Sequence, residues 1–106
     1  MDSRITIVAY KPIEGKESNL LDLVKNHHVK LMQENLVTGR IPIICQAKDN
    51  TLVEIFEWKS EEAIHAAHSN PVVLAMWKEF GEVCTYIPIA DVPESKNMFS
   101  DFTPVH

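Results

Sequence analysis

The run VEIFEWKSEEAIHAAHSNPVVLAMW (residues 53–77) decides the fold, because a strand, a capped helix, a break and a second helix follow one another in it. Val53, Ile55, Phe56 and Trp58 are β-branched or aromatic and close together, the composition of a half-buried or buried strand. Ser60 ends it. Its hydroxyl can accept a backbone N–H of the next turn, and Glu61 and Glu62 set negative charge against the positive end of a helix dipole, so a helix is predicted from Ser60. Ala63 stands where a capping box would need Glu or Gln, which leaves a simple cap. Ala63, Ile64, Ala67 and His68 recur at three- and four-residue spacing and are predicted to face inward, with Glu61, Glu62, His65 and Ser69 outside. Pro71 pushes Asn70 out of the α region and suits the first position of a new helix. That helix is expected to turn Val72, Val73, Met76, Trp77 and Phe80 inward, with Lys78, Glu79 and Glu82 outside.

With 106 residues, 45% of them hydrophobic, the chain suits a single domain: a core over about residues 4–90 and a tail over about residues 91–106. Its net charge is −5 and its ten basic residues are scattered, so neither nucleic acid nor an anionic membrane is expected as a partner. No apolar run approaches the ~20 residues of a membrane span. Met1-Asp2-Ser3-Arg4 leads straight into a strand instead of a signal-peptide core, and a cytoplasmic location is expected. Cys45 and Cys84 lack C-x-x-C spacing and read as two reduced core thiols without a redox role.

Outside the deciding run, RITIVAYK (residues 4–11) is a β-rich first strand ended by Pro12, and Glu14-Gly15-Lys16 forms a turn. A long helix is predicted over residues 17–34, with Leu20, Leu21, Val24, Leu31 and Met32 inward and Asp22, Lys25, Asn26, Lys30 and Gln33 outward. At ~100° per residue, His27 and His28 fall within ~60° of the centre of the apolar stripe, one on each flank. Val37-Thr38-Gly39 closes the connection, with Gly39 expected at positive φ. RIPIICQA (residues 40–47) is the second strand, where Pro42 argues for an edge or for a position where no ladder donor is required, and Lys48-Asp49-Asn50 is the hairpin turn into the strand that begins at Thr51. TYIPIA (residues 85–90) is the fourth strand, again an edge because of Pro88. In the tail, Asp91 reads as a helix N-cap with Glu94 three residues on, and Met98, Phe99 and Phe102 offer an apolar face expected to dock.

The order is βαββαβ with an interrupted second helical segment. It predicts an α+β, ferredoxin-like fold: an antiparallel four-stranded sheet with its helices on one face. The first strand is apolar on both faces, through Ile5, Ile7 and Ala9 on one and Val8 and Tyr10 on the other; so is the second, through Ile41, Ile43 and Cys45 against Ile44. Helices cover only one side. A homodimer packed through the other sheet face is therefore expected.

Trp58-Lys59-Ser60-Glu61-Glu62-Ala63, then His68 and Asn70-Pro71, resembles the W-x-S-x-x-A…H…P signature of the antibiotic biosynthesis monooxygenase (ABM) family, and the βαββαβ order agrees over about residues 4–90. The resemblance implies a dimeric α+β barrel. It also implies activities such as cofactor-independent oxidation of phenols and hydroquinones, haem degradation, or isomerisation of small sugar-derived signals. The haem-degrading branch carries Trp where Ala67 stands and His where Trp77 stands, and its first-strand Asn has no counterpart here, so haem degradation is not expected.

A cofactor-free oxygenase must make its substrate electron-rich enough to meet O₂, which for a phenol means removing a proton in a dry, apolar pocket. A neutral histidine is a suitable base. His68 is the first candidate and His28 the second; His27 reads as structural and His65 as a solvated surface residue. Trp77, Met76, Phe80 and Phe56, with Tyr10 or Tyr86, would wall the pocket and stack on a small hydrophobic or aromatic ligand. Trp58 reads as packing at the strand-to-helix corner. No cofactor is expected, and no metal, since His65/His68 and His27/His28 lack further ligands at recognisable spacing. Two other functions use the same pocket: a non-catalytic dimeric ligand-binding or scaffold module, and an isomerase using the histidine as a proton shuttle.

Overall fold

A computed structural model describes residues 2–105 of the chain. The elements run β1 (Arg4–Pro12), α1 (Glu17–Gln33), β2 (Ile43–Gln46), β3 (Leu52–Trp58), α2 (Glu61–Ala67), α3 (Pro71–Val83) and β4 (Cys84–Ile87). Two short 3₁₀ turns, Ile89–Asp91 and Pro93–Lys96, lead to a two-residue β5 (Thr103–Pro104). Among the described residues the strands form one antiparallel sheet in the order β4-β1-β3-β2-β5. The ferredoxin-like arrangement expected from the sequence is the one the chain adopts, with one addition. The tail supplies a fifth strand, so β2 is not the edge that Pro42 suggested; Pro42 lies just before β2 and asks nothing of the ladder.

Strand β3 is the centre. Its period of two sends Leu52, Glu54, Phe56 and Trp58 to the helix side and Val53, Ile55 and Glu57 to the other. On the helix side, Leu31, Phe56, Trp58, Ala63, Ala67, Val73 and Met76 form one packed cluster, and Tyr10, Leu20, Val24, Ile44, Leu52, Phe80 and Cys84 form a second. Both helix starts after β3 are fixed by side chains. Ser60 Oγ accepts from Ala63 N at 3.1 Å, and Asn70 Oδ1 accepts from Val72 N and Val73 N at 2.9 and 3.2 Å.

Several local expectations give way to the geometry. Gly39 is not at positive φ; after α1 the left-handed position is taken by Asn35 (φ 62°), a residue type that tolerates it. Met32 and Val72 are exposed at the flanks of their stripes. Asp91 caps no α-helix: it ends the first 3₁₀ turn, and the tail docks through Val92, Glu94 and Phe102. Met98 and Phe99 are 91% and 83% exposed, because the chain between the second turn and β5 runs over the surface.

The second sheet face is half covered. Ala9, Cys45, Ala47, Val53 and Val92 make a third cluster under the tail, with Ile55, Ile87 and Phe102 packed against it. Beyond it, Ile7 and Ile43 flank Ile55 in register across three strands and remain exposed, as does Ile5. Cys45 and Cys84 are both buried free thiols. No helix among the described residues is long and apolar enough to cross a membrane.

Candidate active site

A cavity of about 330 Å³ opens between the helix side of the sheet and the helices, lined by Thr6, Val8 and Tyr10 of β1, Phe56 and Trp58 of β3, Tyr86 of β4, His27 of α1 and Trp77 of α3. Its walls are predominantly aromatic, the surface a planar apolar ligand stacks on. Four of the expected wall residues, Tyr10, Phe56, Trp77 and Tyr86, stand in it. The other two do not. Phe80 lies behind the wall, its ring stacked on Tyr10 with centroids 5.0 Å apart, and Met76 is buried in the neighbouring cluster. Trp58 joins the wall instead of serving only as corner packing.

The histidines lie where the sequence did not place them. His68 does not face in: α2 is short, Ala63 and Ala67 define its buried face, and His68 follows at its end, exposed. Its Nδ1–H donates to the Ile64 carbonyl at 2.9 Å, and its ring edge rests on Trp77 from outside the cavity, 5.3 Å between centroids. His28 is buried, but it pins α1 to the following loop by donating from Nε2 to the Thr38 carbonyl at 3.0 Å. His27 is the histidine in the cavity wall. It falls between Val24 and Leu31 in the stripe that α1 lays on the sheet, and its ring meets those of Phe56 and Phe80 edge-on.

Behind His27 lies Glu54, with no solvent exposure. Its Oε1 is 2.9 Å from His27 Nδ1 and accepts from Tyr10 O–H at 2.6 Å. A carboxylate only accepts, so the Nδ1 proton is on the histidine and, in the neutral ring, Nε2 is left as an unprotonated acceptor. Oε1 accepts both donors, and Oε2, buried as well, has no partner among the described residues. Burial, followed by the charge of Glu54, raises the Tyr10 hydroxyl well above its ordinary range, so it stays a donor. Tyr86 is raised too, chiefly by burial, and the Cys84 thiol beside them is pushed up to about 11 by the same desolvation.

The sequence reading missed Glu54, although the signal was present. It shares a strand face with Phe56 and Trp58 at spacing two, so a carboxylate was bound to lie under the helices once that face was buried. His27 likewise continues the spacing Leu20, Val24, His27, Leu31. A second hollow, about 300 Å³, is walled by Asp2, Arg4, Glu61 and Glu62 and offers no apolar surface for an aromatic ring. No group of three or more His, Cys, Asp or Glu able to hold a metal ion occurs among the described residues.

No protein-family model and no curated protein sequence matches the chain. Its fold is similar to that of SnoaB, a cofactor-independent oxygenase from Streptomyces nogalater, with a TM-score of 0.64 at 17% identity over 82% of this chain and 88% of that one. The likeness bears out the ferredoxin-like α+β fold of the single chain that the ABM resemblance implies.

Proposed function

We propose that the chain is a cofactor-independent oxygenase of a small aromatic phenol or hydroquinone, with His27, in place of His68 or His28, as the general base. The observation that carries the reading is a histidine in an aromatic cavity whose inner nitrogen is bonded to a fully buried carboxylate. His27 Nε2 takes the phenolic proton, and Glu54 stabilises the imidazolium that forms. The phenolate, stripped of water by the aromatic walls, gives electrons to O₂ and forms a C–O bond at a ring carbon bearing hydrogen. That carbon then loses its proton as the O–O bond breaks. One oxygen atom stays as a quinone carbonyl, and the other leaves as water with the proton returned by His27. The substrate supplies all four electrons. The likeness of fold to SnoaB, a cofactor-independent oxygenase, supports the reaction class.

The test is turnover of a panel of phenols and hydroquinones by metal-stripped protein, in air and without oxygen. The proposal expects turnover only in air, with one atom of ¹⁸O₂ in the quinone. Turnover without oxygen would contradict it in favour of an isomerase, and saturable binding without turnover in favour of a ligand-binding module.

We also propose that the working form is a homodimer, joined through the sheet face that the tail leaves bare. Ile5, Ile7 and Ile43 are at least half exposed there, around the partly buried Ile55, at 55%, 50% and 58%. An apolar row of this kind at the middle of a sheet is removed from water most simply by a second copy.

A further inference from the structure

We propose that the Tyr10–Glu54–His27 network makes the cavity a selector of charge: it admits planar aromatics that are un-ionised and carry a hydroxyl, and it turns away their carboxylated counterparts. The proposal rests on the cavity being the ligand site, as above, and is independent of oxygen chemistry.

The fixed charge comes first. Glu54 is wholly buried, its partners are the Tyr10 hydroxyl and His27 Nδ1–H, and with the His27 ring neutral neither cancels a carboxylate's charge; no Lys or Arg lines the cavity among the described residues. A ligand anion would enter a space whose nearest permanent charge has its own sign. An atom bonded beyond the imidazole lies ~7 Å from that carboxylate, and at an effective dielectric of ~20 like charges at this distance cost well over tenfold in affinity.

The direction of the hydrogen bonds comes second. The Tyr10 hydroxyl and the His27 Nδ1–H both donate to Glu54 Oε1, so the two donors nearest the cavity's inner wall are spent. What neutral His27 retains is the acceptor Nε2. A hydroxyl can donate to it, whereas a carboxylate brings only acceptors and meets the Nε2 lone pair. The aromatic walls of Phe56, Trp58 and Trp77 favour a flat hydrocarbon frame, and the other donors of the lining, the Tyr86 and Thr6 hydroxyls and the two indole N–H groups, are uncharged and do not cancel the charge of an anion.

Trp58 and Trp77 in the wall report binding through their fluorescence, so affinities can be read anaerobically with no turnover. The ligands are 2-naphthol, naphthalene and 2-naphthoate, near pH 8, where the phenol is un-ionised and the acid fully ionised. The expected result is 2-naphthol binding at least tenfold tighter than either of the others. Naphthoate binding as tightly as naphthol would overturn the proposal, and so would equal affinity for naphthol and naphthalene. Glu54→Gln keeps the shape and an acceptor for His27 while removing the charge; the naphthoate penalty should then shrink at least fivefold, and an unchanged penalty would overturn the assignment to Glu54. The wild-type series decides the matter even if that variant does not fold. Selective binding without oxygen-dependent turnover would remove the oxygenase reading and support this one; turnover with no charge selectivity would do the reverse.

Discussion

Glu54 carries a tension at the scale of single residues. A carboxylate with no exposure costs several kcal/mol to desolvate, and two donors on one oxygen offset that only in part. In the proposed reaction that charge holds the His27 ring in one tautomer and receives the imidazolium. Its neighbours make a pH prediction. Tyr10, Tyr86 and Cys84 all have raised folded-state values, so each holds its proton more firmly in the folded chain than in the unfolded one. Each contribution is fully present below the group's unfolded value and is lost as pH rises toward its folded one; for Cys84 the loss runs from 9.0 to about 11, and the two tyrosines add to it at the upper end. Urea midpoints should therefore fall steadily from about pH 9 to 11, and a flat profile would mean that these groups are wetter than they look. Which histidine enters the site was within reach of the sequence only in part. The helical wheel put His27 and His28 on either flank of the same stripe, and the choice between them depends on how α1 is rotated over Glu54. His68 was misplaced because a helix as short as α2 has its face fixed by two alanines, and one further residue turns ~100° away.

Elements were far more legible. The serine cap of α2 and the Asn70-Pro71 break before α3 are local devices, written in neighbouring residues, and the structure shows both; the hydrogen bonds that Asn70 Oδ1 accepts from the first turn of α3 go beyond that reading. The tail was legible only as something that docks. Its composition points to Met98, Phe99 and Phe102, of which Phe102 packs, but Val92 fills the gap over Ala9, Cys45 and Val53, a gap made by β1 and the β2–β3 hairpin, both distant from the tail in sequence. Glu94 Oε2 latches the tail to the β2–β3 turn by accepting from Lys48 N at 2.8 Å. Val92→Ala should cost about 2 kcal/mol, the loss of two buried carbon groups with partial collapse of the space. Met98→Ser should stay within about 0.5 kcal/mol, as a surface change does. Urea denaturation of the two variants checks the order; a larger loss at Met98 would mean that the exposed stretch is covered in solution.

For the whole molecule, the sheet's two apolar faces were legible as alternation in β1 and β2, and the proposed dimer rests on them. The wild type should sediment as a dimer at micromolar concentration, and Ile7→Glu, which sets a charge in the middle of the bare row, should yield a folded monomer. A wild-type monomer would leave the Ile5, Ile7 and Ile43 face without an explanation. The catalytic claim also belongs to the intact protein, since the cavity draws its wall from β1, β3, β4, α1 and α3 together. Its most direct test is the initial rate of oxygen uptake by metal-stripped protein with the best hydroquinone of the panel, measured for wild type, His27→Ala and His68→Ala side by side. The account predicts a loss of about 10²–10⁴-fold in kcat for His27→Ala, the usual contribution of a general base, and less than about threefold for His68→Ala. Full activity in His27→Ala, or loss confined to His68→Ala, would contradict it.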